Sequence, residues 1–523
     1  MVKYMDNNAG FNQWLANKSA QKKSGGLTRF LWWVVLVLIT WWLVGTFMGT
    51  KKTAVPADTT ADVTTVDLSA LPVATIANEY SQADARGLRI TDVELNGFQR
   101  TATDDAPMRM LASDAGAFAE IGVLATGTTA PVADTVWNDA SSNVQTWRNA
   151  DGVTFTRAFE KDGYVITVGY SVQNNSTKDI SVAPYARIVR GADKTSSAGV
   201  YTGAVAYANG DFEHKSWPSI AKHPRAYTAA DGYVGFVDQY WETVVAIDSP
   251  NQTLRAAPHG DMYQADASAA AVVVPAGETR TIHTHLYVGP RERGALRGAA
   301  DKIAGINKTM DYGWFWFLAR PLAWALNMIH AVVMNYGVAI IILTLLLRLL
   351  MWPLTRKSYT SMAKMQKMQP EMARIQKLYA NDKPRLQMEM MRLYQTHRTS
   401  PMSGCLPMLI QIPIFFALYK ALLVSVQLRH AHFLWIKDLA AMDPYFILPV
   451  LMGATMFWQQ HLQSAPQTAA NANDPVAQTQ RAMRWMPVLF TVLFAWMPAG
   501  LVLYWATSNL CGILQMYLIK RRS

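Results

Sequence analysis

The chain has 523 residues, 51% of them hydrophobic, with a formal net charge of +11 and two cysteines. Residues 53–310 carry 21 Lys/Arg against 29 Asp/Glu, which leaves 27 against 8 for the remainder, and that basic remainder is interleaved with long apolar runs. Such a pattern points to positive loops flanking membrane spans and away from a direct nucleic-acid function. Cys405 and Cys511 fall in apolar runs without CxxC or Cys/His spacing, so they support neither a disulfide framework nor a metal site.

Residues 1–29 are polar and basic and read as a cytoplasmic N-terminal segment. Residues 30–48 form an unbroken apolar run, longer than the ~7–15-residue core of a cleaved signal, and are expected to be the first transmembrane helix. A Thr/Ala/Asp/Pro linker follows at 49–65. From 66 to 294 the pattern turns to short β-prone runs between Gly, Asn and Asp, such as 153–156, 164–168 and 281–286, and predicts a large all-β sandwich. His283 and His285 share a strand face, but no third ligand stands at metal-binding spacing, so no metal is expected. Residues 295–335 are expected to connect this domain to the membrane, with a short polar helix at 295–310 and an amphipathic helix at 313–330 lying along the outer interface.

The insertion of five further spans is expected within 336–519, at about 336–354, 404–427, 446–462, 485–498 and 500–519. The run 485–519 would make one helix of about 52 Å at ~1.5 Å per residue. The hydrocarbon core is only ~30 Å thick, so Met497-Pro498-Ala499-Gly500 is read as a break. Residues 355–403, with ten Lys/Arg against three acids, read as a cytoplasmic helical hairpin turning at Asn381-Asp382-Lys383-Pro384. Residues 520–523 are a short basic C-terminus. Six crossings place both termini on the cytoplasmic side, in agreement with the charge.

One span carries an arginine. Arg348 follows Thr344 by four residues, so both share a helix face. A charge at the centre of a span costs about 3 kcal/mol on insertion scales, and the usual remedy is an acidic partner. Between 404 and 523 the carboxylates are Asp438, Asp443 and Asp474, all in polar connections. Gln411 in the third span and Tyr504, Trp505, Ser508 and Asn509 in the sixth are the other polar residues that could meet Arg348. Together they would line a hydrophilic recess open to the cytoplasm. Three readings stand on the residues alone: polar glue between helices, an anion site of a transporter or channel, or a wet groove that receives polar parts of another protein. On the hairpin, Met362, Met365, Met368 and Met372 recur at three- and four-residue spacing. They suit either hairpin packing or a soft client-contact surface.

Longer motifs decide among these readings. Arg348 to Pro370, Gly404 to Tyr419, Asp443 to Pro449 and Pro498 to Asn509 resemble the YidC/Oxa/Alb family of membrane protein insertases, in order and at the expected spacing. The resemblance implies a polytopic α-helical protein of the bacterial inner membrane with six transmembrane helices and a large periplasmic β-supersandwich. It implies an insertase and chaperone, not an enzyme, working without cofactor. Arg348, Thr344 and Gln411 match the family's groove residues, while Trp505 stands where a second tyrosine is common. Nascent membrane proteins, the Sec translocon and membrane lipids are the implied partners, with the basic hairpin as the candidate contact for the ribosome and signal recognition particle. The competing expectation is a carbohydrate-processing β domain tethered by the spans, for which no general acid and base can be paired from sequence.

Overall fold

A computed structural model describes residues 68–193, 200–397, 406–463 and 485–522. The expected cytoplasmic segment, first span and linker lie outside the described residues.

Between Ala74 and Pro290 the described chain forms two antiparallel sheets of ten and eight strands. The alternation that suggested strands is visible as burial: Ile180–Arg190 and Val153–Asp162 each place every second side chain inward. Val165–Asn174 pairs with Val153–Asp162 on one side and Thr279–Pro290 on the other, and Thr279–Pro290 pairs in turn with Trp241–Ile247 at the centre of the eight-stranded sheet. Phe155, Tyr170, Ile188, Phe236 and Leu286 fill the space between the sheets. Trp241–Ile247 is buried at every position. Its second face is covered by the chain that leaves the domain, through Leu296, Ile303 and Ile306 packed on Val205, Tyr233 and Val244. A strand buried on both faces reads as a near-continuous apolar run, and this one does so apart from the buried Glu242 and Thr243.

That departing chain differs from the single polar helix expected at 295–310. It forms a short helix, Arg293–Ala299, and then a 3-10 turn, Ile306–Thr309. Gly305 separates them at φ +78°, where a Cβ would stand 2.6 Å from the Tyr207 ring. The close approach of Tyr207 leaves room only for glycine there, and its left-handed backbone leads into the 3-10 turn. His285 sits between Thr167 Oγ1 and Asp248 Oδ2, each 3.0 Å away, as a cross-strand hydrogen-bonded set. No cluster of three metal-ligating side chains occurs among the described residues.

The helices are numbered here from the β domain onward. Trp217–Lys222 is α1 and Arg293–Ala299 is α2. The helical half then comprises α3 (Trp316–Val333), α4 (Tyr336–Leu350), α5 (Trp352–Leu378), α6 (Lys383–Thr396), α7 (Leu406–Leu423), α8 (Ile447–Gln463), α9 (Met486–Phe494) and α10 (Ala499–Arg522). Among the described residues, α3 and the Ala499–Ile519 part of α10 are long and apolar enough to cross a membrane by themselves. A third candidate arises if α4 and the start of α5 count as one bent span.

Breaks between helices have local causes. Met334 takes a left-handed conformation after α3, and Asn335 then caps α4 by accepting from Val338 N at 3.0 Å. The α4 span ends at Leu350, short of the expected 354, because Pro353 cannot continue the hydrogen-bond ladder of a straight helix. Here the axis bends by 65° into α5. Asp382 caps α6 through Arg385 N, so the hairpin turns where the sequence placed it. The expected 485–498 span is only nine helical residues long, with Met497-Pro498 outside it. α10 starts where its first free N–H groups find carbonyls: Ala499 N donates to Ala441 O at 2.7 Å and Gly500 N to Leu439 O at 2.9 Å.

The two halves are tied together. Gln239 of the β domain donates to Leu423 O at the end of α7 (3.0 Å), and Arg429 donates to the carbonyls of Gln99 and Arg100. Lys420 of α7 pairs with Asp311 at 2.6 Å.

Candidate functional site

α4, α5, α7 and α10 enclose a small recess lined by Thr344, Leu347, Arg348, Met351, Leu354, Thr355, Gln411, Ile414, Tyr504 and Ser508. Its volume is about 30 Å³, room for about two waters if one needs ~10–15 Å³.

Each polar side chain reaches it for a local reason. Thr344 and Arg348 are one turn apart on α4, and Arg348 lies in that helix's last turn. A cation there faces the negative end of the helix dipole, which lowers the cost of its charge. Tyr504 and Ser508 are likewise one turn apart on α10. Gln411 stands on α7, two residues before the internal Pro413.

The hydrogen bonds show how these groups are satisfied. Arg348 Nε donates to Ser508 Oγ at 3.0 Å, and Nη2 donates to the same oxygen. Gln411 Nε2 donates to Tyr504 Oη. Thr344, fully buried, donates back to Ile340 O at 2.7 Å, the usual solution for a hydroxyl inside an apolar helix. Thr355 does the same to Met351 O. Arg348 is the single charged residue of the lining, and it makes no ion pair with a described residue. Asp443, the nearest in sequence to a core span, spends its carboxylate on Trp435 Nε1 and the Tyr445 and Leu448 N–H groups. The guanidinium carries five N–H donors, and a lone hydroxyl leaves most of them for water or an incoming acceptor.

Two residues expected in the recess lie elsewhere. Trp505 packs in an aromatic cluster with Phe415, Phe490 and Phe494, at ring separations of 4.8–6.0 Å. Asn509 faces α8, with Nδ2 3.4 Å from Thr455 Oγ1. Residues adjacent on a helix point about 100° apart, so Tyr504 and Trp505 cannot share a face, nor can Ser508 and Asn509. The sequence reading missed Gln515, which donates to the Arg348 carbonyl at 3.2 Å. Its spacing of seven from Ser508, on the Tyr504/Ser508 face, was the available signal. On the hairpin, Met368 is buried, while Met362, Met365 and Met372 are partly exposed. The more exposed methionines are Met388 and Met391 on α6.

Comparison with known proteins gives the same two halves. Residues 78–325 match the family described as YidC periplasmic domain, and residues 328–523 the one described as 60Kd inner membrane protein. A protein of Magnetococcus marinus named membrane protein insertase YidC is 38% identical over 388 residues, covering 72% of this chain and 68% of that protein. The protein of the same name from Methylobacillus flagellatus is 34% identical over 478 residues, covering 87% and 83%. A crystal structure titled as an active YidC insertase with the first transmembrane domain resolved is 19% identical, covering 86% of this chain and 95% of that one, at a TM-score of 0.37.

Proposed function

The chain belongs to the YidC family, a family of inner membrane proteins with a periplasmic β domain, and on that premise we propose that it is a membrane protein insertase and chaperone. The recess around Arg348 receives the polar or acidic flank of a nascent membrane protein from the cytoplasm, and the client's apolar segment passes into lipid beside α7 and α9. The observation that carries this reading is a half-buried arginine held by one hydroxyl, in a recess whose described lining includes no carboxylate. A permanent counter-ion would fill the place that a client's acid needs. No bond is made or broken. The driving force is transfer of the client's apolar surface, on the order of 25 cal/mol per Å², assisted where the membrane potential draws acidic tails outward.

In this reading six crossings are made by the 30–48 segment, α4, α7, α8, α9 and α10, and α3 lies along the outer interface. α9, at nine residues, is about 14 Å long, and such mismatch is relieved by local bilayer thinning or shelter from neighbours. The domain limits are those of the charge and pattern: a β domain over 66–294, connecting helices over 295–335, a core over 336–519 and a basic end at 520–523. The exposed methionines and basic residues of α5 and α6 present a soft, cationic surface for clients, and a docking face for the ribosome, the signal recognition particle system or the Sec translocon.

Insertion of a client with an acidic N-terminal tail into inverted membrane vesicles tests the reading. Arg348→Ala should cut insertion about tenfold, and Arg348→Lys should keep most of it. Clients with uncharged tails should be little affected. Equal insertion by Arg348→Ala and the parent chain on acidic-tailed clients would overturn the role.

A further inference from the structure

A second cavity, of about 460 Å³, lies where α2, the middle of α3 and the end of α7 meet. It shares no lining residue with the Arg348 recess. One wall is cationic. Arg293 and Arg297 stand one turn apart on α2, both exposed, and neither forms an ion pair with a described residue. Arg291 beside them is buried. It donates through Nη1 to Asp238 O at 2.7 Å and through Nη2 to Thr309 O, and its Nε has no partner.

Glu292 is the one acid in the lining, and burial pushes its carboxyl above the usual range, which weakens its competition for the arginines. An apolar wall of Ala323 and Trp324 of α3 with Ala421 and Val424 faces the cavity, and Asn327, Ser425 and Gln427 add polar groups to the lining. Trp324 is 61% exposed, and Trp316, Phe317 and Met328 of the same helix are also exposed. Aromatic side chains in this position suit the boundary between headgroups and acyl chains.

We propose that this cavity holds the phosphodiester headgroup of an anionic phospholipid from the outer leaflet, with Arg293 and Arg297 on the phosphate and Trp324 against the glycerol and acyl region. Guanidinium groups pair with phosphate oxygens through two parallel hydrogen bonds, and basic pockets among membrane helices select anionic headgroups. The apolar wall is what a lipid adds to a bare anion. An acidic client segment fits less well, because the cavity lies beside the exposed aromatics of α3 and away from the recess. This assignment rests on α3 lying along the outer interface.

The test is native mass spectrometry of the full chain in detergent with phosphatidylglycerol, phosphatidylcholine or inorganic phosphate, compared with the double variant Arg293→Gln/Arg297→Gln. The parent chain should retain phosphatidylglycerol about tenfold better than the variant. Phosphatidylcholine should be retained less, and inorganic phosphate should not displace the lipid. Equal retention by both chains overturns the proposal. Displacement by inorganic phosphate overturns the lipid in favour of a free anion, and crosslinking of a nascent client from position 324 as efficiently as from 411 overturns it in favour of a client path. Insertion is read through Arg348, so a failed lipid result leaves the insertase reading untouched.

Discussion

A guanidinium among apolar helices is tolerated only where something offsets its desolvation, and Arg348 shows three offsets at once. It sits in the last turn of α4, it donates twice to Ser508, and it faces a recess with room for water. Each is weaker than a carboxylate, which is why the charge stays available. Glu242 is a contrasting buried charge. It is completely buried in the β domain, Thr309 Oγ1 donates to its Oε2 at 2.7 Å, and Oε1 has no partner. Burial raises its pKa from 4.5 to about 7 despite the nearby Arg291. The folded state therefore keeps a proton that the unfolded chain loses above 4.5. Its contribution is full below that pH, shrinks as pH rises to about 7 and is absent above, a change of about 3 kcal/mol at most. Glu242→Gln keeps the neutral form at every pH. Thermal unfolding of the purified chain should show the parent losing stability relative to Glu242→Gln between pH 5 and 8; parallel curves would contradict the assignment.

Among the elements, those whose ends are set by proline or glycine were legible in the sequence, and those set by tertiary contact were not. Pro498 and Gly500 marked the break before α10, and Asp382-Lys383-Pro384 marked the hairpin turn, because these residues act on their own backbone. Pro353 marked the 65° bend after Met351 in the same way, although the expected span ran past it to 354; the brevity of α9 depends on what packs alongside, and hydropathy alone overextended it. The cap of α8 is another tertiary feature. Asp443 is buried and accepts from Trp435 Nε1 and from the N–H groups of Tyr445 and Leu448. Asp443→Ala leaves these donors unpaired and should destabilise the helical half by about 2–3 kcal/mol. Asp443→Asn, which keeps an acceptor, should lose less. A thermal midpoint in detergent unchanged by Asp443→Ala would show the cap to be dispensable.

At the scale of the molecule, the division into an acidic β domain and a basic helical half was readable from charge and periodicity. The meeting of Thr344, Arg348, Gln411, Tyr504 and Ser508 was readable because polar residues in apolar helices are few and cluster by face. Trp505 and Asn509 were misplaced for the same reason that the others were found: one residue's step along a helix changes the face. Nine of the ten residues of the recess come from α4, α5, α7 and α10, the tenth, Met351, joins α4 to α5, and none comes from the β domain. Removing residues 78–290 should therefore leave insertion largely intact. The Lys420–Asp311 pair survives that deletion, while the bonds from Gln239, Gln99 and Arg100 to the end of α7 and its loop are lost. Abolished insertion in a chain that still reaches the membrane would make the β domain central.

The most direct test of the recess is a photo-crosslinker placed at Gln411 or, for comparison, at Leu514 on the exposed face of α10, with ribosomes stalled on a nascent membrane protein. Adducts to the nascent chain from position 411, several-fold stronger than from 514 and weakened by Arg348→Ala, are the predicted result. Equal adducts from both positions, unaffected by Arg348→Ala, would contradict a client-receiving recess.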